Sequence, residues 1–139
     1  MKPDVLIKKV ARRIIWAVKG RPVAPNLLEM VWPEEKLTSP PQVHVPEGYL
    51  LRQFEAKDRQ KYFDLFVAAD MEKPPLEYWE KHLLPDGFFV IEHQESGALV
   101  AACFASHHPT TKHAQAGNFG WLAVDPNHRG RKLGQAVAS

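Results

Sequence analysis

Residues 124–137 read VDPNHRGRKLGQAV. Three cations, Arg129, Arg131 and Lys132, surround Gly130 and stand just ahead of Gly134. Glycine carries no Cβ, so at these points a ligand or an adjoining backbone can come close to the main chain. Pro126 has no N–H to give a central ladder, so a strand that enters it ends there. A helix is expected to begin near Arg131, with Leu133 and Val137 at i and i+4 on one face. The first amides of a helix have no intrahelical partners, and the positive end of its dipole lies with them. Full charges and free amides together make an anion site that suits a pyrophosphate. A run such as HRGRK is also common as a solvated basic loop or a nucleic-acid contact. The strand before it and the helix after it favour the anion site, and no nucleic acid is expected as a partner.

Other residue types offer proton transfer. His107, His108 and His113 are candidates, because imidazole exchanges protons near neutral pH. The plain alternative for each is a surface-loop histidine. These histidines lack metal-ligand spacing, and Cys103 sits in a strand-like run with different geometry, so no metal site is expected. Glu47, Glu55, Glu72 and Glu77 are scattered and form no acid pair. Tyr78, Trp79, Phe88 and Phe89 read as core, with Tyr78 and Trp79 able to line a pocket. Cys103 is the only cysteine. It excludes an internal disulfide and fits a reducing, cytoplasmic compartment.

These groups need elements to position them. YLLRQF (49–54) reads as a strand. Residues 56–69 place Tyr62, Phe63, Phe66 and Ala69 on one helical face, with Asp58 in the first turn, where a carboxylate favours the dipole. Pro74 and Pro75 open a short helix, LEYWEKHLL, which Pro85 closes. Residues 87–93 and 98–107 are rich in β-formers and are joined by QESG, a hairpin-length connector. A third run, NFGWLAV (118–124), leads into the basic loop. The expected order is strand, helix, helix, three strands, helix.

The chain has 139 residues, 45% hydrophobic and 24% charged, enough for one domain with its own core. Its net charge of +2 is uneven. Residues 1–22 hold seven basic side chains against Asp4, an excess of +6 that leaves −4 for the remainder. Residues 4–19, DVLIKKVARRIIWAVK, read as an amphipathic helix with its apolar side on Leu6, Val10, Ile14 and Val18. The expected organisation is a basic helical arm over 1–21, a proline-rich connector over 22–46 and a catalytic-type domain over 47–139. The connector holds six of the twelve prolines, with one helical turn expected near Leu27–Val31. The arm is expected to dock on its own domain or a second copy, with contact to a membrane surface or an anionic partner as the alternative. No apolar run approaches the roughly 18 residues that cross a bilayer. Charges interrupt any signal-peptide core.

Residues 119–137 resemble the acyl-CoA-binding motif of the GNAT N-acetyltransferase superfamily. That motif runs from a strand through a V-x-P-like step and R/Q-x-x-G-x-G/A into a helix. The matching residues are Val124, Pro126, Arg129, Lys132 and Gly134. The order of elements extends the resemblance over residues 46–139. It implies an α+β fold of the three-layer, acyl-CoA N-acyltransferase-like kind, a mixed, mostly antiparallel sheet with helices on both faces. It implies acetyl-CoA as co-substrate and a small-molecule or peptide amine as acceptor, attacking without a covalent enzyme intermediate. The main chain of Leu122, Ala123 and Val124 would pair with the pantetheine arm. The loop Arg129, Gly130, Arg131, Lys132, Leu133 and Gly134 would hold the pyrophosphate. A strand N–H near Leu122 would polarise the thioester carbonyl.

The sequence departs from the pattern at two places. Lys132 stands where the family's first motif glycine falls, so its side chain must point away from the phosphates or lie alongside them, or meet a 3′-phosphate. Asn118 lies near the position where some members carry a glutamate base. An amide cannot take a proton but can orient a water, so His107 and His108 stay as further candidates. The resemblance also implies a second half after Ser139, so the chain reads as one whose C-terminal half is missing. An unprotected fourth strand predicts pairing with a second copy. Two alternatives stay open: a non-catalytic acyl-CoA-binding module, and a domain whose function lies in the N-terminal helix.

Overall fold

The computed structural model describes residues 31–108 and 115–139. The helix expected over 4–19, residues 22–30 of the connector with most of the helical turn expected near Leu27–Val31, and His113 lie outside the described residues. The chain divides into two compact units, Met1–Pro40 and Pro41–Ser139. In the first, Pro33 precedes a 3-10 turn, Glu34–Lys36, closed by the Leu37 N–H on the Glu34 carbonyl at 3.0 Å.

The second unit is a four-stranded sheet with helices on both faces. The strands are β1 (Tyr49–Gln53), β2 (Leu83–His93), β3 (Ala98–Ser106) and β4 (Asn118–Val124), in spatial order β1-β2-β3-β4 with every pairing antiparallel. Helix α1 (Arg59–Ala68) and the short α2 (Leu76–Trp79) lie between β1 and β2 in sequence, and α3 (Leu133–Ala138) follows β4. The side-chain alternation of the strands sorts the core into two layers. On one face Tyr62, Leu65 and Phe66 of α1 pack on Phe88, Val90 and Phe104. On the other, Leu133, Ala136 and Val137 of α3 pack on Ile91, Ala101 and Cys103. Residues 41–46 fall within this unit, and Val45 packs on the second layer.

Three boundaries differ from the sequence reading. The helix expected over LEYWEKHLL stops after Trp79, and β2 begins at Leu83 and runs through Pro85. Between Leu83↔Ser106 and Phe88↔Phe104 the register shifts, so β2 bulges there and Pro85 owes the ladder no hydrogen bond. Gly87 closes the bulge. A Cβ there would lie 3.0 Å from the Leu84 carbonyl oxygen and 3.1 Å from that of Ala105, a spacing only glycine fits.

The second difference is at Asp58. It ends a 3-10 turn, Ala56–Asp58, ahead of α1 and is buried. Its carboxylate accepts the Glu55 N–H at 2.9 Å and two bonds from the Arg52 guanidinium, at 2.6 and 2.8 Å. Arg52 also reaches Glu92 at 2.7 Å. This two-pronged pairing holds the Asp58 carboxyl below the usual carboxylate range. Its main partner is thus a cation on β1 rather than a helix dipole. The third difference is that α3 starts at Leu133, two residues later than expected, because Lys132 is left-handed (φ 61°, ψ 21°).

Candidate active site

β4 is an edge strand, and among the described residues no strand pairs with its outer side. Its register with β3 runs Ser106↔Asn118, Ala105↔Phe119, Phe104↔Gly120, then jumps to Ala102↔Ala123. Three steps on β4 thus face two on β3, so β4 carries one extra residue at Trp121–Leu122. Trp121 takes φ 53°, a left-handed value that an indole-bearing residue adopts only when its surroundings fix it. The bulge lifts a short piece of main chain out of the ladder. Leu122 is exposed there, while the side chain of Ala123 is buried and Val124 is half-buried. A glycine inside a strand pattern, Gly120, was the available signal for this bulge. The uninterrupted run of β-formers around it concealed the signal.

Past Val124 the chain is anchored before it turns. The Asp125 N–H donates to the Val100 carbonyl at 2.8 Å. The Asp125 carboxylate accepts the Asn127 N–H at 2.8 Å, capping the 3-10 turn Pro126–His128. The basic loop follows. Arg129, Gly130, Arg131 and Lys132 are all exposed, and Gly134 is half-buried. The side chain of Leu133 is buried in the second core layer, so only its main chain can serve a ligand. Gly130 adopts φ 77°, open to glycine at no steric cost. Lys132 is left-handed and the next residue is helical, a pairing that turns successive N–H groups towards one side. The first bond of α3 runs from the Ala136 N–H to the Lys132 carbonyl at 3.0 Å. The amides of Leu133, Gly134 and Gln135 therefore have no intrahelical acceptor. At Gly134 a Cβ would lie 3.4 Å from Val124 Cγ2. The missing side chain there lets α3 sit close against β4 as well as leaving the amide accessible. These solvent-facing amides and cations fit a diphosphate.

The loop is also tied across the sheet. Arg131 Nη1 donates to the Tyr49 hydroxyl at 2.8 Å, and that hydroxyl lies 2.8 Å from His128 Nδ1. Arg131 is thus partly committed to the scaffold, which leaves Arg129 and Lys132 as the cations that point outward.

On the α1 face, beside the bulge, lies a cavity of about 500 Å³. Tyr78, Trp79, Phe104, Phe119 and Trp121 line it, with Ser106, His108 and Asn118 supplying the polar groups. His108 Nε2 is 2.9 Å from Tyr78 Oη, and its ring lies 4.6 Å from that of His82. His108, a proton-transfer candidate, and Asn118, the candidate to orient a water, therefore meet in one cavity. His107 does not join them: its ring bonds the Ala116 carbonyl at 3.3 Å and its N–H bonds the His82 carbonyl. Tyr78 and Trp79 do line a pocket, whereas Phe88 is core. Cys103 is buried and its thiol donates to the Val137 carbonyl at 2.8 Å. Burial pushes that thiol up to about 12, which removes it as a nucleophile. Among the described residues no three His, Cys, Asp or Glu side chains gather as a metal site, and no helix is long and apolar enough to cross a membrane.

A strand-edge bulge, a glycine-punctuated cationic loop and a helix follow one another here in the order of the acyl-CoA N-acyltransferase-like fold. Residues 49–139 match the model of the Acetyltransferase (GNAT) family, and the chain belongs to that family. Solved structures share the fold. A GCN5-related N-acetyltransferase from Sphaerobacter thermophilus superposes with a TM-score of 0.57 at 23% identity, over 70% of this chain and 32% of its own. Glucosamine-6-phosphate N-acetyltransferase from Arabidopsis thaliana gives 0.50 at 22% identity, over 66% of this chain and 69% of its own. An acetyltransferase from Pyrococcus horikoshii gives 0.51 at 15% identity, over 68% and 33%. The chain thus spans about a third of the Sphaerobacter and Pyrococcus proteins. No curated protein sequence matches it.

Proposed function

We propose that this chain carries the coenzyme-binding part of an N-acyltransferase that moves an acetyl group from acetyl-CoA to an amine by direct attack. One observation carries the reading. The bulge at Trp121–Leu122 and the loop at 129–134 lie at the two ends of one short segment, as a ligand with a reactive head and a diphosphate requires. Acetyl-CoA supplies a thioester whose carbonyl carbon takes the amine and whose sulfur departs as thiol. The chain's own groups do the rest. Main-chain amides of Leu133–Gln135, with Arg129 and Lys132, hold the diphosphate. Main chain of Leu122–Val124 offers its free edge to the extended arm, in the manner of an added strand. An amide freed by the bulge stabilises charge that gathers on the carbonyl oxygen. The amine must lose a proton, and His108 is the group in the cavity able to accept it, with Asn118 orienting a water. A reducing compartment such as the cytoplasm suits the single buried thiol.

The test is calorimetric titration of acetyl-CoA into the chain and into Arg129→Glu. Reversing an exposed charge at the loop is expected to weaken binding about tenfold or more. Unchanged affinity removes the assigned loop. Release of free thiol with a panel of amines, measured on the whole protein, separates catalysis from coenzyme binding alone.

A further inference from the structure

We infer that the cavity beside the β4 bulge takes an acceptor amine with a flat, aromatic body. The inference rests on the acyltransferase reading and adds the acceptor's chemical class to it. Among the described residues that line the cavity five are aromatic, and none is Asp, Glu, Lys or Arg. That lining argues by exclusion first. A polyamine or an aminoglycoside needs carboxylates to replace the water around its ammonium groups, and a sugar phosphate needs cations; neither is present among the described lining residues. It argues positively as well. Rings from α2, β3 and β4 offer both faces and edges, the arrangement in which an aromatic guest stacks or meets edge-on. At about 500 Å³ the cavity has the volume of an ordinary small-molecule site.

The polar groups sit where the amino end must go. Ser106 is buried at the sheet side, with Asn118 opposite it in register and Gly120 two residues further along β4. The Tyr78–His108 pair stands at the rim, where Tyr78 is 47% exposed. An arylalkylamine laid on Phe119 and Trp121 directs its nitrogen along β4, where the bulge opens. An ammonium with no carboxylate partner is also easier to deprotonate, which is what attack on a thioester requires. Selectivity and activation therefore both draw on the lack of fixed negative charge among the described lining residues.

The probes are phenethylamine, n-butylamine, spermidine, glucosamine 6-phosphate and a tripeptide with an aliphatic N-terminus. Each is titrated into the 139-residue chain and followed by ligand-observed NMR. Phenethylamine is expected to bind while the other four stay below detection at equal concentration. Phe119→Ala and Tyr78→Ala are each expected to weaken it about 3- to 10-fold, and Phe119→Tyr to retain it. Both positions are about half exposed, at 53% and 47%, so the thermal midpoint should hold and report that the fold is intact. Equal binding of spermidine or the tripeptide, or phenethylamine binding that ignores both alanine variants, overturns the inference. A parallel acetyl-CoA titration keeps the two readings apart. Coenzyme binding without phenethylamine binding sinks the acceptor class alone. Phenethylamine binding without coenzyme binding sinks the acyltransferase reading and leaves the aromatic site standing.

Discussion

Replacing Lys132 with glycine should make this protein more stable, although it removes a side chain and a charge. Lys132 occupies φ 61°, ψ 21° immediately before α3. For an L-residue with a Cβ that region costs about 1–2 kcal/mol. Glycine adopts it freely, but gives back about 0.4–1 kcal/mol through the greater freedom of the unfolded chain. The Lys132 side chain is exposed, so little packing is lost. The net gain is about 0.5–1 kcal/mol, which for a folded unit of this size raises the thermal midpoint by about 2–6 °C. Gln135→Gly, three residues on and inside α3, is the control. It is exposed and helical, so the same chemistry there should cost about 1 kcal/mol. Thermal unfolding followed by circular dichroism reads both. A Lys132→Gly midpoint that falls alongside that of Gln135→Gly refutes the argument, because the left-handed strain would then be absent. Acetyl-CoA affinity should fall by no more than about fivefold, less than for Arg129→Glu, since the main-chain amides and Arg129 survive and a charge is removed rather than reversed.

Two other outcomes follow from the core. Asp58 is held below its unfolded value by Arg52, so its contribution to stability is present above about pH 4 and is lost as pH falls through the folded value. Asp58→Asn should cost about 2–3 kcal/mol at pH 7 in urea unfolding, and the gap to the parent should close as the pH is lowered past 4; a gap independent of pH contradicts the assignment. The Tyr62 hydroxyl is fully buried, with no hydrogen-bond partner among the described residues, and burial raises its pKa. Tyr62→Phe should therefore be neutral or stabilising by about 1 kcal/mol, and a clear loss in the same assay would show a hidden partner.

Much of the fold was legible because strand patterns survive in single segments. The runs of β-formers at 98–107 and 118–124 marked β3 and β4 to within a residue, and QESG marked the hairpin of β2 with β3. The basic loop was legible for the same reason, its glycines and cations being adjacent in sequence. What escaped depended on distant residues. The start of β2 was hidden because Leu76, Trp79 and Leu83 mimic a helical face, and because Pro85 is tolerated only where β2 bulges away from β3. The role of Asp58 needed Arg52 and Glu92 as its neighbours, a relation no local pattern carries. The bulge in β4 appears only when the strand is laid against β3. The cavity needed α2, β3 and β4 together, and so His108 and His107, side by side in sequence, could not be told apart.

The tyrosine that opens β1 reaches a histidine and an arginine 79 and 82 residues later. Joining points so far apart along a chain carries a large closure entropy, so such links form after the local hairpins. The loop at 129–134 is therefore among the last parts of the molecule to set. Anything that peels the first strand from the sheet unhooks that loop without touching a single residue of it.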